Sequence, residues 1–218
     1  QFSLRSARSE AFRLIRRIHG QAGIIIFMTN ITATTEQLLL VYKKSKGATI
    51  DSRPESQDGG VKGKVFFGLP GQNVHGNAFA VSAIKSGANA AVIDDEKLFD
   101  KIMSSEPTEI SSKVFLVKNV LASLQDMGHT HRMKFDIPVI GITGTNGKTT
   151  TKELMATALA QKFDKKGKPN SFTDGVVATI GNLNTEMGVP MTLLRITNKT
   201  GIAVIELGAK KKGDIKAL

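Results

Sequence analysis

The chain has 218 residues, with 40% apolar and 22% charged side chains, and at roughly 100–200 residues per domain it holds more than one domain or one large one. It has no cysteine, four histidines and no run of 18 apolar residues, which excludes a disulfide scaffold, a zinc finger, a cysteine nucleophile and a membrane-spanning helix. The net charge of +11 calls for an anionic partner, but with no tryptophan and Tyr42 as the one tyrosine there is no basic-and-aromatic stripe of the kind nucleic acid needs. Phosphorylated small molecules and oxygen-ligated hard metals stay open.

Residues 1–28 carry Arg5, Arg8, Arg13, Arg16 and Arg17 against Glu10, and end in Ile24-Ile25-Ile26-Phe27. They have no periodic apolar face, so they are expected to be a basic leader outside the fold, ahead of a start at Met28; an organelle transit peptide is the alternative. Thr34 with Gln37 forms a capping box, Leu38, Leu39, Val41 and Tyr42 supply an apolar face, and Gly47 is expected to stop that helix. Strands are predicted at 64–69, 90–93 and 113–117, helices at 77–86, 96–103 and 120–132, and a polar surface loop at 104–112. This alternation predicts a small α/β domain over residues 29–134. His75, His129 and His131 read as polar surface residues, since the i, i+2 spacing of the last two gives no shared helix face.

A second unit, 135–218, begins at Phe135-Asp136-Ile137-Pro138. It is predicted to contain a short buried strand at 139–143, a glycine-rich turn, a helix from Lys148 to about Lys162, a loop at 165–173, a buried strand at 202–207 and a helix starting near Asp214. An open α/β sheet needs more strands than these, so a truncated phosphate-loop α/β domain is expected. The Lys210–Lys212 run reads as solvated.

Gly141-Ile142-Thr143-Gly144-Thr145-Asn146-Gly147-Lys148-Thr149-Thr150 carries the strongest chemical signal. A buried strand, a glycine-rich loop and Lys-Thr opening a helix make a phosphate-binding loop, in which backbone N–H groups curl around phosphate oxygens and the helix N-terminus adds partial positive charge. Lys148 would reach the β/γ-phosphates and the Thr149 hydroxyl would ligate Mg²⁺. The spacing departs from G-x-x-x-x-G-K-[ST], because Ile142 stands five residues before Gly147. Glu206, closing the apolar Ala203-Val204-Ile205, places a carboxylate where a nucleotide enzyme puts a metal ligand. Gly181-Asn182-Leu183-Asn184 and Gly188-Val189-Pro190 are compatible with simple turn chemistry and alone are uninformative.

Together, GTNGKTTTKEL, GNLN followed by GVPMTLLR, and AVIELGA resemble the Mur ligase family, and the likeness covers residues 29–218. Asp51-Ser52-Arg53 and Val65-Phe66-Phe67-Gly68-Leu69-Pro70-Gly71 resemble that family's uridine-nucleotide domain. The resemblance implies three domains, for a UDP-sugar, for ATP, and a C-terminal one falling beyond Leu218. It implies a cytoplasmic, monomeric ATP- and Mg²⁺-dependent ligase of peptidoglycan precursor synthesis. Its substrates would be UDP-N-acetylmuramoyl-tripeptide and D-alanyl-D-alanine, joined through an acyl phosphate, and the stretch alone would complete no turnover. By position, Asp51, Ser52, Arg53 and Gly71 would bind the UDP-sugar, and Thr143, Gly144, Thr145, Asn146, Gly147, Lys148, Thr149 and Thr150 would bind ATP. Thr149 and Glu206 would hold Mg²⁺, with Lys148 and Glu206 catalytic, and Asn182 and Asn184 would line the substrate junction. Gly68-Leu69-Pro70-Gly71 stands where the family has Ala-Leu-Lys-Gly, His75-Gly76-Asn77 where it has Asp-Gly-His, and 165–177 is about ten residues longer. Another Mur or folylpolyglutamate-type ligase, and a non-catalytic nucleotide-binding module, are the competing expectations.

Overall fold

A parallel strand covered by helices on both faces must be apolar on both, and two stretches of this chain meet that requirement. The computed structural model describes residues 32–53, 60–71, 74–163, 175–209 and 211–218. The expectations for the leader at 1–28 and the loop at 165–173 lie outside them, as does most of the 165–177 segment. The first stretch contains helix α1 (Thr35–Lys43), strands β1 (Ala48–Thr49) and β2 (Val65–Phe67), and a 3-10 turn (Gly76–Phe79) leading into α2 (Ala80–Lys85). It continues through β3 (Ala90–Ile93), α3 (Glu96–Ser105), α4 (Thr108–Ser111), β4 (Val114–Leu116) and α5 (Val120–Arg132). The strands form a parallel sheet in the order β1-β2-β3-β4.

Alternation along these strands sends side chains to opposite faces. Val65, Phe67, Ala90 and Val92 pack with Leu38 and Leu39 of α1 and with Leu124 and Met127 of α5. Phe66, Ala91 and Ile93 pack on the other face with Ala80, Ala83 and Ile84 of α2 and Ile102 of α3. Local signals start the helices: Thr34 and Gln37 form the expected capping box on α1, while the Asp95 and Asn119 side chains accept N–H bonds from Leu98 and Ala122 at the starts of α3 and α5.

The second stretch holds β5 (Val139–Ile142), α6 (Lys148–Phe163), β6 (Val176–Ala178), α7 (Gly188–Leu193), β7 (Ile202–Glu206) and α8 (Asp214–Ala217). Its parallel sheet runs in the order β5-β7-β6. Ile202 and Val204 of β7 face α6 with Val176, Ala178 and Ala156, while Ala203 and Ile205 face Val189 of α7 and Ile196. The architecture is mixed α/β with two parallel sheets. Helices α5 and α7 pack against each other, and Leu194, just beyond α7, is buried in the core of the first sheet. A Cβ on Gly128 of α5 would lie 2.7 Å from Pro190 Cβ, so this helix crossing needs glycine there.

Several expectations are corrected. The first helix ends at Lys43 with Lys44 as its C-cap, ahead of Gly47. Residues 104–112 are no plain loop: α4 lies among them, with Ser111 buried and Ile110 packed on the core. The predicted helix at 77–86 divides into the 3-10 turn and α2. Strand β5 is an edge of its described sheet, with Val139 38% exposed, rather than a buried strand. Residues 188–190 open α7 instead of forming a turn, because proline is tolerated in a first helical turn, whose N–H groups have no intrahelical partner.

Candidate functional site

Strand β5 delivers the chain into the loop 143–147, and α6 begins at Lys148. Gly147 sits at φ +74°, a left-handed conformation that glycine adopts without strain. Thr143, Gly144, Thr145, Asn146, Gly147, Thr149 and Thr150 are all exposed. The Thr151 N–H donates to Gly147 O at 2.8 Å, so the amides ahead of it open toward the loop with no helical acceptor. The Lys148 ammonium folds over the loop and donates to the carbonyls of Gly144 (2.7 Å) and Thr145 (3.4 Å).

Strand β7, between β5 and β6, carries Glu206 to the carboxyl end of the sheet, in register with Ile142. Its side chain is 1% exposed. Oε1 accepts from Thr149 Oγ1 at 3.2 Å and from Asn184 Nδ2 at 2.7 Å, and the Glu206 N–H donates to Thr179 Oγ1 at 2.9 Å. Oε2 is buried and has no hydrogen-bond partner among the described residues. A carboxylate oxygen sealed from water with its lone pairs unmet is costly, and a cation is the group that would repay it.

Thr149 and Glu206 therefore come together, and Asn184 joins them. Asn184 is itself held by its N–H to Asn182 O (2.7 Å) and by its carbonyl, which accepts the Gly208 N–H (2.8 Å). Asn182 supplies only that carbonyl here, and its side chain is exposed. Glu206, Thr149, Asn184 and the phosphate loop make one cluster of oxygen and amide groups. The donor set suits Mg²⁺: one hydroxyl and one carboxylate leave room for phosphate oxygens and water, the usual arrangement of a nucleotide-bound ion.

Sequence reasoning missed Lys152 and Thr179. Lys152 is fully buried, and its Nζ donates to Thr179 O at 2.8 Å and to Glu153 Oε1 at 2.6 Å. Its spacing held a signal, because it follows Thr149 by three and Lys148 by four, on one helix face. His131 was expected at the surface but is 9% exposed. Its Nε2 lies 2.8 Å from Ile196 O, its Nδ1 has no partner among the described residues, and burial holds its pKa below the ordinary 6.5. Leu124, Gly128 and His131 recur at helical spacing on the buried side of α5, which could have found it. His75 is half-exposed and caps the 3-10 turn through Asn77 N–H, while His129 is exposed.

At the first sheet, Asp51-Ser52-Arg53 follow β1 and Gly71 lies beyond β2, so neighbouring parallel strands bring both to the same sheet end. The Arg53 guanidinium pairs with the Asp51 carboxylate and holds its pKa below the usual 3.8. Gly71 N–H donates to Val74 O at 3.1 Å. Asp94, after β3, accepts from Asn77 Nδ2 on Oδ1 (2.8 Å) and from the Val120 N–H on Oδ2 (3.0 Å). It ties the loop after β2 to the start of α5.

Two family profiles match the chain: the Mur ligase family catalytic domain over residues 44–131 and the Mur ligase middle domain over 142–218. UDP-N-acetylmuramoyl-tripeptide–D-alanyl-D-alanine ligase of Synechocystis is 34% identical over 160 residues, covering 72% of this chain and 31% of that protein. The ligase of the same name in Bacillus subtilis is 31% identical over 172 residues, 79% of this chain and 32% of its own length. The chain thus spans about a third of these relatives. Among solved structures, MurF from Acinetobacter baumannii superposes with a TM-score of 0.59 at 26% identity, over 84% of this chain and 37% of that one. MurF ligase from Thermotoga maritima in complex with ADP gives 0.57 at 26% identity, over 79% and 34%.

Proposed function

From the premise that the chain belongs to the Mur ligase family, we propose that it takes part in ATP-dependent joining of D-alanyl-D-alanine to UDP-N-acetylmuramoyl-tripeptide in peptidoglycan precursor synthesis. The observation that carries this reading is Glu206: a buried carboxylate with one oxygen saturated by Thr149 and Asn184 and the other bare, beside a glycine-rich phosphate loop. The names of the relatives supply the substrates. Residues 29–134 would hold the UDP-sugar through Asp51, Ser52, Arg53 and Gly71, and residues 135–218 would hold ATP. No helix among the described residues is long and apolar enough to cross a membrane. The proposed setting is the cytoplasm, where ATP is available, with the protein acting as a monomer.

In this reading the loop amides from Gly144 to Thr149 hold the phosphates, and Lys148 leaves the Gly144 and Thr145 carbonyls for the β/γ-phosphate oxygens. Thr149 Oγ1 and Glu206 Oε2 would hold Mg²⁺, which supplies positive charge to the phosphoryl group. Asn184 keeps the Glu206 carboxylate in one rotamer, and Asn182 and Asn184 border the place where the tripeptide carboxylate becomes an acyl phosphate. Once Lys148 has moved, the loop amides and the Glu206 carboxylate need little further reorganisation during the transfer.

The test is calorimetric ADP binding by the protein in EDTA and in Mg²⁺, with phosphate release from ATP followed on adding UDP-N-acetylmuramoyl-tripeptide and D-alanyl-D-alanine. Mg²⁺-dependent binding, with release that needs both substrates, is expected. A folded chain that binds no nucleotide would overturn the reading, and release driven by a different amino acid would move it to another branch of the family.

A further inference from the structure

We infer that Lys152 is a positioning residue for the metal-ligating carboxylate of Glu206, acting through Thr179; this rests on the proposed role of Glu206 as a Mg²⁺ ligand. Thr179 is fully buried just past β6 and is held from two sides. Lys152 Nζ donates to its carbonyl at 2.8 Å, and its hydroxyl accepts the Glu206 N–H at 2.9 Å. A third bond, from Thr179 N–H to Val204 O at 3.1 Å, locks it to β7 two residues before Glu206. The lysine thus ties α6, which carries Thr149, to the residue that fixes the backbone of Glu206. The Thr149 hydroxyl then returns to Glu206 Oε1, closing a ring of contacts around the carboxylate.

Packing alone gives no reason for a lysine here. The side chain is fully buried, and a methionine of similar length would fill the site without stripping water from an ammonium group. Its carboxylate partner, Glu153, is half-exposed and adjacent in sequence, so a surface pairing was available to this lysine without burial. What burial adds is the bond to Thr179. Outer groups that orient a metal ligand act on metal affinity rather than on the fold as a whole.

The experiment measures apparent Mg²⁺ affinity of the full chain with ADP present, and ADP affinity in EDTA, with circular dichroism reporting the fold. Lys152→Met should weaken Mg²⁺ roughly 10–100-fold while ADP binding in EDTA is unchanged. Thr179→Val should do the same, and Thr179→Ser, which keeps the hydroxyl, should retain the parent affinity. Parent-like Mg²⁺ affinity in a folded Lys152→Met chain overturns the proposal, as does an equal loss with and without Mg²⁺. If Lys152→Met unfolds, the contrast between Thr179→Val and Thr179→Ser decides, and equal behaviour of those two, or unfolding of Thr179→Val as well, overturns it. Glu206→Gln is the separate control: undiminished Mg²⁺ affinity there removes the reading of Glu206 as a ligand, and this proposal with it.

Discussion

Two carboxylates stand at the ends of parallel strands, Asp94 partly exposed and Glu206 buried, and they differ in how their oxygens are met. Asp94, after β3, has both oxygens bonded within the chain, to Asn77 and to the Val120 N–H. Glu206, ending β7, has one oxygen bonded twice and the other bare and buried. A carboxylate with both oxygens bonded fixes architecture, since each oxygen serves a turn or a helix start. A carboxylate left half-met inside the protein holds capacity for something the described residues do not supply. Position at a strand end does not separate the two roles; the count of satisfied oxygens does.

Removing the carboxylates should split the two sheets by what is lost. Asp94→Ala strands two donors, at about 1–3 kcal/mol each, and should lower the denaturant midpoint while Mg²⁺-dependent ADP binding persists. Glu206→Gln should leave the midpoint unchanged or raised, because a buried charge is gone, and should abolish the Mg²⁺ contribution to ADP binding. The reverse pattern would erase the distinction. Lys148→Ala tests the other half of the nucleotide end: losing a charged hydrogen bond worth about 1.5–3 kcal/mol should weaken ADP roughly 10–150-fold by calorimetry, with the melting temperature held.

The junction between the sheets gives a prediction of sign. Glycine to alanine inside a helix ordinarily stabilises by about 1 kcal/mol, but at Gly128 the added carbon meets Pro190. Overpacking costs about 1–3 kcal/mol, so Gly128→Ala should be net destabilising in urea titration. The smallest effect expected is the pH response of His131. Burial lowers its folded pKa below the ordinary 6.5, and the nearby Lys43 and Lys134 act in the same direction. The unfolded chain then takes up the proton first, so stability is fully present above about 6.5 and falls as pH drops toward the folded value. His131→Gln should flatten the midpoint between pH 7 and 5.

Legibility in the sequence followed locality. The capping box at Thr34, the helix from Val120 to Arg132 and the strand at 90–93 are set by neighbours a few residues apart, and all appear as read. The phosphate loop was readable because a strand, glycines and Lys-Thr must be contiguous to work. What escaped depends on distant partners. β6 is three residues long and owes its place to pairing with β7. α7 was hidden by Gly188 and Pro190, whose helical role is set by packing against α5. Lys152 looked like any helix lysine until Thr179, 27 residues away, closed over it.

Leu194 has a consequence for how the chain is made. It fills the core beneath the first sheet, against α1 and α5, yet it follows the last strand of that sheet by almost eighty residues. At about 5–20 residues per second, α5 leaves the ribosome seconds before its neighbour in that core has been synthesised. During that interval a nascent first sheet carries an apolar notch where Leu194 belongs, and Gly128 lies open where Pro190 will press. That notch closes when α7 packs against α5 and carries Leu194 into the first sheet's core.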